Sequence, residues 1–89
     1  MSEFIVLSRI NLGLTHTPTG RAVHRFGEKQ LRPASKLKII KYADDPGVYL
    51  LYLDENSQEL TDTYHDSVEA AMSQAQWEYQ VKPEEWEAL

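Results

Sequence analysis

His65, Asp66 and Ser67 place an imidazole, a carboxylate and a hydroxyl at three successive positions, the residue types of a nucleophilic triad. A triad works only where its members converge in space, and neighbours on an extended chain point to opposite sides. Asp66 has a sufficient role as a helix cap, so no catalytic residue is expected here. Asp54-Glu55-Asn56-Ser57-Gln58 begins like a calcium loop, but Glu59 and His65 stand where that loop needs glycine at its sixth position and glutamate at its twelfth. The segment reads instead as an acidic hairpin turn. His16, His24 and His65 lack the helical His-x₃-His spacing of a zinc site, and nothing fixes a third or fourth ligand. Asp44-Asp45 and Glu84-Glu85 read as turn and helix-start carboxylates. No GxGxxG, Walker-type loop or nucleophile elbow occurs. The expectation is a protein that is not an enzyme and has no metal and no cofactor.

Binding chemistry is better represented. The formal net charge of −5 over 89 residues conceals two opposed blocks. Residues 1–43 carry eight basic side chains against two acidic ones, whereas residues 44–89 carry Lys82 against twelve acids. Such asymmetry points towards a nucleic-acid or protein partner. Arg21, Arg25, Lys29, Arg32 and Lys38, interleaved with His24, Phe26 and Tyr42, are residue types that neutralise phosphates and stack bases. Against nucleic acid stand a pI near 5.0 and the absence of the motifs of RRM and KH domains. Mutual neutralisation of the two blocks within the fold is the competing use. Trp77 lies about 180° around a helix from its apolar stripe, and tryptophan is enriched among interface hot spots. Trp77, Trp86, Tyr49 and Leu51 are therefore candidate partner-binding residues, with the alternative that the tail turns back at Pro83 and packs Trp86 or Leu89 near Trp77.

The elements that must position these residues follow from periodicity. Phe4 to about Leu14 is apolar mainly at even positions, the two-residue period of a half-buried strand. Pro18-Thr19-Gly20 predicts a turn that folds Arg21 to Phe26 back on that strand. Leu37–Ala43, Val48–Leu53 and Glu59–Tyr64 are strands joined by Asp44-Asp45-Pro46-Gly47 and Asp54 to Gln58, both of hairpin length and composition. Asp66-Ser67-Val68-Glu69 resembles a capping box, and Val68, Ala71, Met72, Ala75 and Tyr79 share one helical stripe. Pro83 ends that helix and opens a short helical turn.

The fold expected is α+β: an antiparallel meander sheet of three to five strands with one C-terminal amphipathic helix packed on one face. One domain spans 1–89, with strands within 3–65, a helix over about 66–81 and a helical turn over about 83–88. Val48 to Leu53 is apolar on both faces, so the face opposite the helix needs cover from the 27–35 connection, the Trp86 turn, a second copy or another partner. With no cysteine, no apolar run near the ~20 residues of a membrane span and no export-signal layout, a cytoplasmic setting without membrane contact is expected.

The run Gly47 to Asp54, with Thr61 to Ser67, Glu69-Ala70-Ala71 and Gln76 to Tyr79, resembles the hairpin-plus-helix unit of small bacterial α+β proteins without assigned activity. The closing Val81 to Trp86 is similar to the ends of such chains. The resemblance covers roughly the last 45 residues and rests on structural elements, so it implies a bacterial α+β domain and transfers no catalytic or binding residue. The function expected is a protein-protein interaction or regulatory module, acting on a protein partner or by self-association. Nucleic-acid binding through the basic half is one alternative, and a small-ligand protein or enzyme with a site at a dimer interface is another.

Overall fold

A computed structural model of the chain describes residues 3–13, 25, 26, 29, 30 and 34–88. Its main sheet is five-stranded and antiparallel, in the order Glu59–His65, Val48–Leu53, Lys36–Tyr42, Phe4–Asn11, Glu87–Ala88. The strands are β1 (Phe4–Asn11), β4 (Lys36–Tyr42), β5 (Val48–Leu53), β6 (Glu59–His65) and β7 (Glu87–Ala88). The two-residue strands β2 (Arg25–Phe26) and β3 (Lys29–Gln30) pair with each other in a separate ribbon. One helix, α1 (Val68–Tyr79), follows the sheet, and a 3₁₀ turn at Pro83–Glu85 leads into β7. This is the α+β sheet-and-helix arrangement that the periodicity predicts, with β4, β5 and β6 as its meander.

The turn between β5 and β6 is closed by the residues that suggested it. Asp54, 5% exposed, uses one carboxylate oxygen to accept the amides of Asn56 and Gln58, both at 2.9 Å. Its carbonyl accepts from the Ser57 amide at 2.9 Å. An aspartate that mimics a backbone turn in this way has its carboxylate committed to the hairpin. At the head of α1 the cap is Ser67, not Asp66: the Ser67 hydroxyl accepts the Ala70 amide at 3.1 Å from an extended backbone. The helix ends where Gln80 takes the left-handed conformation, two residues short of the expected limit.

The core lies between α1 and one face of the sheet. Ala71, Ala75 and Tyr79 of α1 pack on Ile10, Leu37, Ile39, Val48, Leu50 and Tyr52, with Val68 and Met72 at the margin. Tyr79 anchors the far end by accepting the Ala34 amide at 2.8 Å. Trp86 joins this same core at 9% exposure, so the C-terminal turn does not cover the opposite face.

Three local expectations need correction. Arg25–Phe26 pairs with Lys29–Gln30 rather than with β1, and β1 pairs instead with β4 along Phe4 to Asn11. The even-numbered apolar residues of β1 do not share a face. The register shifts between Val6 and Ser8, and a bulge there sends Phe4 and Val6 to one side and Ser8 and Ile10 to the other. Finally, the helical turn stops at Glu85. Trp86 is extended (φ −70, ψ 139), and burying its indole brings Glu87 and Ala88 alongside Arg9 and Ser8 as a fifth strand. The predicted turn at Pro18-Thr19-Gly20 lies outside the described residues.

Candidate functional site: the sheet face opposite the helix

Strand register assembles an aromatic row on the face that α1 leaves. Phe4 stands opposite Tyr42 and Tyr49 opposite Tyr64, while Tyr42 is one step along from Ile40, the partner of Tyr49. Ring centroids are 5.7 Å apart from Phe4 to Tyr42, 5.4 Å from Tyr42 to Tyr49 and 5.1 Å from Tyr49 to Tyr64. All three contacts are edge-to-face, at interplanar angles of 67°, 81° and 67°. That geometry sets the positive ring edge against the negative ring face and adds about 0.5–1.5 kcal/mol per pair beyond area burial. The two ends of the row remain open: Phe4 is 52% and Tyr64 47% exposed.

The turn between β4 and β5 holds the row from beneath. Asp45 accepts the Tyr64 hydroxyl at 3.0 Å and the Gly47 amide at 3.1 Å on Oδ1, and the Tyr49 hydroxyl at 3.1 Å on Oδ2. Lys41 Nζ donates to the Asp45 carbonyl at 2.5 Å and to that of Tyr42 at 3.4 Å. The Gly47 amide, both hydroxyls and the Lys41 charge together hold the Asp45 carboxyl below its usual range, against partial desolvation. The same hydrogen bonds raise Tyr49 and Tyr64 above the ordinary tyrosine value. A cavity of about 340 Å³ lined by Glu3, Phe4, Ile5, Lys41, Tyr42 and Ala43 adjoins the row, and one of about 300 Å³ lies over Tyr42, Asp44, Asp45 and Tyr49.

Beyond the row, Ile40 and Leu53 are buried on this face, at 1% and 3% exposure. Lys38 stands between Arg9 and Leu51, and Asp62 is opposite Leu51. Arg9 and Lys38 are thus like charges directly across a strand pair, which is unfavourable unless a counter-charge is near. Glu87 supplies one: its carboxylate accepts from Arg9 Nε at 3.2 Å. That ion pair joins the basic and acidic blocks, but it is half-exposed and worth only ~0–1 kcal/mol.

Of the residues chosen from sequence, Tyr49 and Leu51 lie half-buried on this face. Lys38 is there too. Trp77 stands apart on α1 at 41% exposure, and Trp86 is a core residue whose Nε1 is buried without a hydrogen-bond partner. Arg25 and Lys29 fall in the small ribbon, while Arg21, Arg32, His16 and His24 lie outside the described residues. Sequence reasoning missed Phe4, Tyr64 and the role of Asp45, and singled out Tyr42 only as a base-stacking residue of the basic block. The signal was present: Tyr42 and Tyr49 flank the first hairpin turn, and Tyr64 pairs with Tyr49 at the open end of the second hairpin.

The His65-Asp66-Ser67 run does not converge. Ser67 caps the helix, and His65 instead bonds Thr63 Oγ1 at 2.8 Å through Nε2. Burial pushes the His65 imidazole down, with Asp66 pulling it back up. Thr63 leads inward to Tyr52, whose hydroxyl donates to the buried Glu78 carboxylate at 2.9 Å, and Gln74 Nε2 donates to the same oxygen at 3.0 Å. Tyr52 is 1% and Glu78 3% exposed, so this cluster ties β5 to α1 inside the core. No group of three or more histidine and acidic side chains placed to hold a metal occurs among the described residues.

The fold and this face together define a small α+β domain with a helix on one side of its sheet and a hydrogen-bonded aromatic row on the other. Comparison with protein families, with curated proteins and with solved structures finds no match for the chain.

Proposed function

We propose that the protein is a non-enzymatic protein-interaction module whose contact surface is the aromatic row Phe4-Tyr42-Tyr49-Tyr64. The observation that carries this reading is the row itself, open at both ends and locked by Asp45. Aromatic side chains dominate interface energetics, and rings already fixed in place lose little freedom on binding. The setting proposed is a reducing cytoplasm. A partner captured from native extract should be retained by the wild type and by Trp77→Ala, and lost with Tyr64→Ser. Capture that ignores Tyr64→Ser but fails with Trp77→Ala would move the surface to α1 and sink this assignment.

A second reading rests on Arg9, Lys36 and Lys38, which share the same face across β1 and β4. Phosphate contacts from these residues and the basic stretch Arg21 to Arg32 would make the module a nucleic-acid binder. Its signature is affinity that falls steeply with salt. Absence of a mobility shift with single-stranded RNA or DNA at low salt removes it.

A further inference from the structure

The outer edge of β1 is only partly occupied. Among the described residues β4 pairs along the whole of β1, but β7 reaches only Ser8 and Arg9 on the other side. Among the described residues Phe4 to Leu7 has no strand neighbour there. This segment is Phe-Ile-Val-Leu, four good strand formers without a charge. Phe4 is 52% and Ile5 61% exposed, and they belong to opposite faces of the sheet. Soluble proteins usually guard such an edge with charge, proline or cover. The other long edge strand, β6, has that guard in Glu59 and Asp62.

The backbone fixes which groups are available. The Ala43 amide donates to the Glu3 carbonyl at 3.2 Å, so Glu3 directs its polar groups at the β4 side. Direction alternates along an antiparallel strand. Ile5 therefore also faces β4, and the N–H and C=O of Phe4 and of Val6 point out from the edge.

We propose that this edge is completed by the same edge of a second copy of the chain, antiparallel about a two-fold axis at Ile5. The proposal extends the interaction reading given above and names self-association at a surface next to the aromatic row. With Ile5 opposite the second copy's Ile5, Phe4 pairs with the second copy's Val6, and the reverse pairing follows by symmetry. Every outward N–H and C=O of Phe4 and Val6 then finds a partner. A register centred on Val6 would carry the strand into β7. Glu3 falls opposite Leu7, so no like charges meet. The paired stretch ends at Leu7, just before β7 begins at Ser8. The two sheets become continuous, with the helices on one side and the aromatic rows meeting on the other.

Sedimentation equilibrium or light scattering on the full chain, with position 5 variants, tests this. Ile5 is exposed, so charge there leaves the monomer's core intact. Wild type should give a dimer mass at tens to hundreds of micromolar. Ile5→Lys and Ile5→Glu should each be monomeric, with unchanged circular dichroism, because like charges would face each other across the axis. Their equimolar mixture should recover the dimer, since only a two-fold at this position sets residue 5 against residue 5. Val6→Pro, which removes an outward N–H and leaves the β4 ladder alone, should also dissociate it. A wild-type monomer at these concentrations overturns the proposal, as does a dimer indifferent to both charge variants or a mixture that stays monomeric. A wild-type monomer whose partner capture is still lost with Tyr64→Ser fails this proposal alone, whereas an Ile5-dependent dimer whose partner capture ignores Tyr64→Ser fails the aromatic-row reading alone.

Discussion

The Tyr64 ring occupies the space a side chain on Gly47 would need. A Cβ built on Gly47 would overlap Tyr64 Oη and Cζ and lie 2.6 Å from the His65 carbonyl oxygen. The absence of that one atom lets Tyr64 cross the end of the sheet and reach Asp45 at 3.0 Å. Gly47→Ala should therefore cost about 1–3 kcal/mol, the range for forcing atoms into a filled site. Most of the clash is with the ring, so the loss should be smaller when Tyr64→Ala is already present. Urea unfolding of the two single variants and the double variant measures that coupling. Additive losses would mean that the His65 backbone, not the Tyr64 ring, sets the cost.

The Asp45 lock has a pH window at each end. Its carboxyl is lowered by the Gly47 amide and the two tyrosine hydroxyls, so its folded value lies below the unfolded one, about 3.9. The stabilisation is fully present above the unfolded value and is lost as pH falls through the folded one. Tyr49 and Tyr64 are raised by the same bonds, so their share is present below about pH 10 and fades as pH rises through their folded values. Asp45→Asn should lower Tm at neutral pH and flatten the acid limb of the stability profile. Ultraviolet titration of phenolate should show two tyrosines moving down towards the ordinary value. Unchanged tyrosine titration would mean that Asp45 does not hold the row.

What sequence reveals here depends on whether one stretch of chain contains the whole cause. In β4, β5, β6 and α1 the apolar period and the bounding turn residues lie together, so strand, turn and helix all follow from local pattern. For β7 the cause is distant: Glu87-Ala88 has no strand preference of its own, and its place is set by Trp86 entering the core and by Arg9 across the sheet. The bulge in β1 is similar. An even-numbered apolar pattern interrupted only at Ser8 reads as one face, and only pairing with Ile40 and then Ile39 shows that the face changes between Val6 and Ser8. The aromatic row lies between these cases. Tyr49 was legible as a candidate, but Phe4 enters through long-range pairing with Tyr42, which local pattern does not specify.

Tyr52 and Glu78 form the buried polar contact between sheet and helix, at 2.9 Å. Burial, with the Glu78 charge adding to it, pushes Tyr52 far above the ordinary tyrosine value, so the hydroxyl remains a donor across the working pH range. Tyr52→Phe removes one donor from a buried carboxylate oxygen that Gln74 also serves. Such a loss costs about 2 kcal/mol, or roughly 10 °C in Tm for a domain of this size. Replacing both partners, Tyr52→Phe with Glu78→Leu, should recover part of it, because no buried acceptor is then left short. A double variant less stable than the sum of its singles contradicts this account.

Gln80 closes α1 with φ +61 and ψ +32, its amide donating to the Gln76 carbonyl at 2.9 Å. A residue with a Cβ is disfavoured in this left-handed region, and glycine is the usual occupant of such a helix end. Gln80→Gly should therefore stabilise the domain by about 0.5–1 kcal/mol, the gain left after glycine's greater freedom in the unfolded chain is charged against it. Gln80→Ala keeps the Cβ and should show no such gain. Ser57 has the same sign of φ, at +64, but its hydroxyl accepts from Lys36 Nζ at 2.8 Å. Ser57→Gly loses that bond while relieving the backbone, so its gain should be smaller than that of Gln80→Gly. Thermal melts of the three variants rank the effects, and a gain from Gln80→Ala equal to that from Gln80→Gly would show that side-chain loss, not the dihedral angle, is responsible.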